Sequence, residues 1–288
     1  MTRLYGTIFI KRLSEFLYRL GRFIGLGAFL VFMLFPLVWI VLISFKPMNE
    51  IYLFPIKYLP ARFTLDSYRK VLTMARFGVY FRNSLVISVI AAAGGLCINV
   101  ISGFSLSRLK SGKVLQRILL ILYFSQMIPS FILMIPLFNM ISQIRLSNNL
   151  VVLTIVYGTT TVGFGSIMSK SFFDHIPPSL EEAALIDGCS HVSAIFRVIL
   201  PVALPELVAI YCFLFVGMWN ELWLAVMLIS DERKLTIPVA LNGFIGKSGV
   251  GWDIMSAGIV LALLPTMIIF AVGQKYIVAG LTEGGVKG

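Results

Sequence analysis

Six apolar runs divide this chain: Phe23–Phe45, Ser84–Leu106, Ile118–Met140, Leu150–Phe172, Ala203–Ile229 and Ser256–Ala279. Each exceeds the roughly 20 residues of helix that cross a hydrocarbon core about 30 Å thick. Lipid offers no water to backbone N–H and C=O groups, so runs of this length are expected as helices whose hydrogen bonds close internally. The expected fold class is therefore an all-α polytopic membrane protein with six transmembrane helices, its membrane domain spanning residues 23–280. Composition agrees. The chain is 58% hydrophobic and 13% charged, with a mean hydropathy of +0.93, outside the range of ordinary soluble domains.

The 24 Lys and Arg against 13 Asp and Glu flank the apolar runs and form no basic face interleaved with aromatics. They are topology signals and lipid-headgroup contacts rather than a nucleic-acid surface, so no nucleic-acid partner is expected. Cys97, Cys189 and Cys212 are widely spaced, with no histidine at ligand spacing, so neither a disulfide nor a metal site is implied. Residues 1–22 form a basic arm carrying Arg3, Lys11, Arg12, Arg19 and Arg22. Arm and first run together mimic a signal peptide, but the run is too long and closes on Ser44-Phe45-Lys46-Pro47 without a small-residue cleavage site. A retained first span is expected.

An even number of spans puts both termini on one side. The basic arm, with Arg108, Lys110, Lys113 and Arg117 between the second and third runs, assigns that side to the cytoplasm, together with a tail at residues 281–288. The opposite segment from Lys46 to Arg82 is also basic, but long segments weigh less in this rule. Within it, Tyr68, Val71, Leu72 and Ala75 at helical spacing predict an interfacial amphipathic helix. Inside the runs stand Pro36, Pro129, Pro136, Gly158, Gly163, Gly165, Gly217 and Pro265. Such breaks are tolerated where neighbouring helices or a water-filled path satisfy the freed carbonyls, which favours a transporter over a simple anchor.

Residues 174–205 are the long polar stretch with internal logic, predicted as helix, turn, helix. Ser179 with Glu182 fits a capping box, and a short helix from Leu180 to Asp187 stops at Gly188. Ser190 can cap a second helix with Val192, Ile195, Phe196 and Ile199 on one stripe, ending at Pro201. The bare methyls of Ala183 and Ala184 beside Glu181, Glu182 and Asp187 would let another surface approach closely while the carboxylates select basic partners.

Glu182-Ala183-Ala184, three residues, Gly188, nine residues, then Val198-Ile199-Leu200-Pro201 resembles the EAA loop of ABC-importer permeases. Asn83-Ser84, Phe104-Ser105-Leu106-Ser107-Arg108, Pro129, Ile135-Pro136-Leu137, Trp219-Asn220-Glu221 and Gly284-Gly285-Val286-Lys287-Gly288 extend the resemblance to the carbohydrate branch, the maltose, oligosaccharide and glycerol-phosphate type, and to the shorter second permease of the pair. The resemblance implies a bacterial cytoplasmic-membrane permease that carries a sugar or oligosaccharide and is not itself an enzyme. It implies as partners a homologous second permease, two ATPase subunits and an external solute-binding protein. ATP and Mg would be bound by the ATPase, with no cofactor in this chain. Glu181, Glu182, Ala183, Ala184, Asp187, Gly188 and Pro201 would then form the cytoplasmic coupling element.

Gly243-Phe244-Ile245-Gly246-Lys247-Ser248 ends like a phosphate-binding loop but has Leu241 where that motif needs glycine. His175 and His191 belong to no nucleophile constellation. Polar groups inside apolar runs mark Gln126, Asn139, Tyr157, Trp219, Asn220 and Glu221 as candidates for the solute path; equally, Glu221 could be hydrated near the outer interface and Asn220 could bond a neighbouring helix. The alternatives are an ABC permease for another solute, or a secondary transporter, which would need more ionisable groups at mid-membrane.

Overall fold

The computed structural model describes residues 2–74, 76–246 and 249–283. Ala75, Lys247, Ser248 and the terminal residues 284–288 therefore lie outside it. Nearly every described element is helical, as a backbone in lipid requires. Two units divide the chain, residues 1–71 with 248–260, and residues 72–247 with 261–288.

In the first unit, α1 (Thr2–Ser44) runs unbroken through residue 22, so the basic arm and the first span are one helix. Its residues 15–38 are exposed, a surface for lipid rather than for this chain's own core. The end of α1 is tied down. Ser44 Oγ and Tyr68 Oη are 2.8 Å apart, the Phe45 and Tyr68 rings meet at 5.3 Å, and Lys46 sits 4.8 Å from the Trp39 ring and bonds the Lys57 carbonyl. A single turn, α2 (Met48–Ile51), follows, and then α3 (Asp66–Met74). This is the amphipathic helix anticipated from Tyr68, Val71 and Leu72, with Val71 fully buried and Leu72 exposed.

The second unit is built around α4 (Phe77–Ser107). Helices α5 (Gly112–Met127) and α6 (Ser130–Gln143) follow, bent by 94° at Ile128-Pro129. Then come α7 (Leu150–Thr160) and α8 (Val162–His175), bent by 46° at Thr161. Beyond them lie α9 (Pro178–Ile186), α10 (His191–Ala194), a π turn at Ile195–Ile199, and α11 (Leu200–Val202). The chain bends by 76° before α12 (Leu204–Trp219), and continues through α13 (Trp223–Leu228) and α14 (Ile237–Asn242) to α15 (Trp252–Glu283), of which residues from 261 onward belong to this unit. Among the described residues three helices are long and apolar enough to cross a membrane alone, and counting each bent pair as one span brings the number to as many as six.

Three expected runs are not single helices: the fourth is the one bent at Thr161, and the third and fifth break elsewhere. The third breaks where Pro129, lacking an N–H, forces Ile128 into an extended conformation. The fifth, drawn as Ala203–Ile229, is interrupted after Trp219: Asn220 Nδ2 donates back to the Val216 carbonyl at 3.0 Å, and α13 starts afresh at Trp223. The second loop helix does not stop at Pro201 either. The π turn pairs Leu200 N–H with the Ile195 carbonyl, absorbs the missing proline donor and carries the helix to Val202.

Between apolar helices in lipid there is no hydrophobic force to exploit, so close packing and buried polar bonds must hold the bundle. The most extensive pairing, α4 with α8, uses both. Asn99 is fully buried, with Nδ2 3.5 Å from Thr161 Oγ1, and Ser166 Oγ donates to its Oδ1 at 3.4 Å; Ser102 and Ser166 hydroxyls lie 2.6 Å apart. Glycines admit the approach. A Cβ on Gly103 would collide with Ser169 and come within 2.7 Å of the Lys170 backbone nitrogen, whereas one on Gly94 would meet nothing within 4 Å. At the other end of α4, Asn83 Nδ2 donates to the Arg233 and Leu235 carbonyls at 3.1 and 3.2 Å, and Ser84 Oγ accepts from Ile237 N–H at 2.7 Å.

Gly103→Ala should lower the stability of the detergent-solubilised chain by about 1–3 kcal/mol through overpacking against fixed backbone. Gly94→Ala should leave the thermal midpoint unchanged.

Candidate functional site

The loop after α8 folds as helix, turn, helix, with different caps from those read in the sequence. Ser179 makes no capping box with Glu182. Pro177 occupies the N-cap position without a side-chain bond and Pro178 the first helical position, where proline's missing N–H costs nothing. The far end of α9 is closed by backbone. Gly188 N–H donates to the Leu185 carbonyl at 3.1 Å and Cys189 N–H to the Ala184 carbonyl at 3.0 Å, with Gly188 at φ +87°. That is a Schellman closure, which satisfies the orphan carbonyls and requires a left-handed residue. Ser190 caps the next helix as expected, its Oγ accepting from Ser193 N–H at 3.3 Å.

The seven loop residues do not share one surface. Glu182, Ala183, Asp187, Gly188 and Pro201 are exposed, while Ala184 is buried and Glu181 is turned inward. The Glu181 carboxylate meets Arg108, at the C-cap of α4, with Nε to Oε2 at 3.4 Å, and His191 Nδ1 lies 3.9 Å from Oε1. In the sequence Arg108 had stood out as a cytoplasmic flanking charge and as the end of the family-like Phe104-Ser105-Leu106-Ser107-Arg108; its partner was not readable there. The expected stripe on the second loop helix is split. Ile199 is fully buried, whereas Val192 and Phe196 are exposed, beside Ile186 at 86% exposure. The outer surface of the loop is thus apolar with carboxylates at Glu182 and Asp187, a composition suited to a protein partner.

Of the six path candidates, three converge. Gln126, Tyr157 and Glu221 line one cavity of about 370 Å³, with Thr160, Phe164 and Phe213. Tyr157 is buried and its hydroxyl donates to the Glu221 carbonyl at 3.3 Å. The Glu221 carboxylate accepts from Leu224 N–H at 3.0 Å and from Ala225 N–H at 3.3 Å, so it caps the broken helix and its charge is held by the α13 N-terminus. A groove of about 640 Å³ adjoins through Gln126 and Thr160 and adds Thr159; the sequence did not single out either threonine because threonines are common in apolar helices. Trp219 is buried, donating from Nε1 to the Ala262 carbonyl at 3.0 Å, and Asn220 bonds its own helix. Asn139 is exposed and lines neither cavity. Among the described residues no group of three His, Cys, Asp or Glu could hold a metal.

The model of the family described as "Binding-protein-dependent transport system inner membrane component" matches residues 95–283, well over half the chain. The chain belongs to that family. The Escherichia coli inner membrane ABC transporter permease protein YcjP is 33% identical over 272 residues, 94% of this chain and 97% of the relative. The Agrobacterium fabrum sulfoquinovosyl glycerol transport system permease protein SmoH is 32% identical over 267 residues, 93% of each. A solved bacterial ABC transporter involved in the import of the acidic polysaccharide alginate shares the fold at TM-score 0.77 and 23% identity, covering 91% of this chain and 97% of that one. This family member is therefore a multi-pass ABC permease, and of its Glu182-Ala183-Ala184 segment the first two residues are exposed and the third is buried.

Because Gly188 is conformationally demanded yet spatially unconstrained, Gly188→Val should strain the turn by about 1–3 kcal/mol and expose residues 186–190 to limited proteolysis. Gly188→Asn, which tolerates the left-handed region, should be cut nearly as slowly as wild type.

Proposed function

We propose that this permease moves a sugar or oligosaccharide into a bacterial cell as part of an ATP-driven importer, with a homologous second permease, two ATPase subunits and an external solute-binding protein. Both termini and the α9 loop face the cytoplasm. The observation that carries the proposal is the α9 loop: a short helix closed by backbone at both ends, presenting Glu182, Ala183, Ile186 and Asp187 outward. Such an element can seat in a groove of the ATPase, with Glu182 making a charge-assisted contact to a basic partner.

ATP and Mg, bound by the ATPase, supply the energy by biasing its dimer between closed and open forms. What this chain contributes is mechanical: α9, held rigidly, passes the difference to the bundle and opens the path to one side, then the other. The solute side of the proposal rests on chemistry and on kinship. The cavity offers an amide, hydroxyls and the aromatic faces of Phe164 and Phe213, while the charge of Glu221 is already engaged, a lining suited to a neutral polyhydroxylated solute. SmoH, similar along nearly its whole length, is named for sulfoquinovosyl glycerol, a sugar derivative whose sulfonate makes it charged, so the kinship supports a sugar-type solute and not its neutrality. The path through Gln126, Tyr157 and the Glu221 break belongs to the same proposal; helices broken at mid-membrane are tolerated where they line a cavity.

Two experiments test it. In proteoliposomes holding the complete importer, Glu182→Lys should replace attraction with repulsion and lower both uptake and ATPase stimulation, with solute binding by the external protein unchanged. Wild-type uptake at normal expression would overturn the docking role. In intact cells a membrane-impermeant maleimide should label Cys189 only after permeabilisation, and should label a cysteine at Glu232 from outside; the reverse pattern would overturn the orientation.

A further inference from the structure

The contact that the docking reading leaves unused is the inward one. Arg108 ends α4 and its guanidinium gathers groups from three elements. Nε donates to Glu181 Oε2 on α9 at 3.4 Å, Nη1 to the Phe173 carbonyl at 3.3 Å and to Ser107 Oγ at 3.1 Å, and Nη2 to the Ile176 carbonyl at 3.2 Å. Phe173 and Ile176 stand at the end of α8, where carbonyls carry the negative end of the helix dipole, and the Phe173 carbonyl also accepts from Ile176 N–H at 3.2 Å. The Phe104 ring lies 5.3 Å from the guanidinium carbon and meets the Phe173 ring edge-on at 5.4 Å, clamping the fork from its apolar side. The Arg108 and Glu181 side chains are only 20% and 18% exposed, so solvent screens this pair less than a surface one.

Helix α9 packs mainly on the turn that follows it, residues 191–199, and among the described residues has no comparably broad contact with α4 or α8. A displacement of α9 therefore reaches α8 through the two-residue link Ile176-Pro177, and α4 through this fork. We infer that Arg108 is the positioning residue for coupling: it fixes the docking helix in register with the ends of α4 and α8, so that a push on α9 moves the bundle instead of flexing the loop. A planar five-donor fork suits the task. An ammonium could keep the charge pair but not all the carbonyl bonds in one geometry.

The inference rests on α9 being the ATPase-docking helix, and the test separates the two. In the reconstituted complete importer, solute moved per ATP hydrolysed is measured for assembled complexes of Arg108→Gln, Arg108→Lys, Glu181→Gln and the double variant Arg108→Gln/Glu181→Gln, with Glu182→Lys alongside. Arg108→Gln should lower that ratio roughly tenfold, the scale of a lost set of charge-assisted bonds, and Arg108→Lys should recover part of it. Adding Glu181→Gln to Arg108→Gln should cost little more, because the two act through one contact. A merely structural Arg108 would lower the yield of complex and leave the ratio of the assembled fraction at the wild-type value, which would overturn the inference. Should Arg108→Gln fail to assemble, the near-isosteric Glu181→Gln carries the test, and a wild-type ratio there also overturns it. Loss of coupling in Glu182→Lys with none in the Arg108 and Glu181 variants sinks this inference alone; coupling intact in all of them sinks the docking reading as well.

Discussion

Everything in the larger unit depends on how closely α4 and α8 approach. Lipid is as apolar as leucine, so burying leucine between two spans contributes little, and association must come from contact distance and polar bonds. Gly103 lets α4 lie against the Ser169–Lys170 backbone, and the Asn99 side chain fills the space over Gly165. The bond set of Asn99, Ser102, Thr161 and Ser166 then fixes the register. Because that register is fixed, the C-terminal ends of α4 and α8 come out side by side, and Arg108 can reach the Phe173 and Ile176 carbonyls. The position of α9 follows from an interface buried in the span.

The same unit is interrupted where the solute path is proposed, and two of the interruptions carry their own compensation. At Thr161 the hydroxyl donates to the Gly158 carbonyl at 2.7 Å, occupying a carbonyl that the bend disturbs. After Trp219 the Glu221 carboxylate supplies what the broken helix lost, accepting the N–H groups of Leu224 and Ala225. An unsatisfied backbone group in hydrocarbon would cost several kcal/mol, so these breaks persist only because side chains complete them. They leave Tyr157, Gln126 and Glu221 around one cavity instead of on three unrelated helix faces.

Much of this was legible in the sequence, for physical reasons that also mark the limit. Run length and the solvent requirement of lipid gave helices at all six apolar runs. Gly188 gave the left-handed turn, since few other residues adopt φ +87° without strain. Ser190 gave a cap. The failures share one cause. A local pattern such as Ser179 with Glu182 fits a capping box, but two prolines ahead of it already set the helix start, so the side chains were free for other partners. The direction in which Glu181 points depends on Arg108, 73 residues away, and no periodicity encodes that distance. Likewise Glu221 looks like an isolated charge in an apolar run until the helix break beneath it is seen.

The link between α9 and an ATPase can be probed directly by crosslinking. A photoreactive benzoylphenylalanine placed at the exposed Ala183, and a control placed at Glu232, would be irradiated in the assembled importer in native membranes. The docking geometry predicts an adduct between position 183 and the ATPase subunit, and none between position 232 and that subunit. An ATPase adduct from position 232, or none from position 183 in a complex shown to be assembled, would contradict the coupling role of this loop.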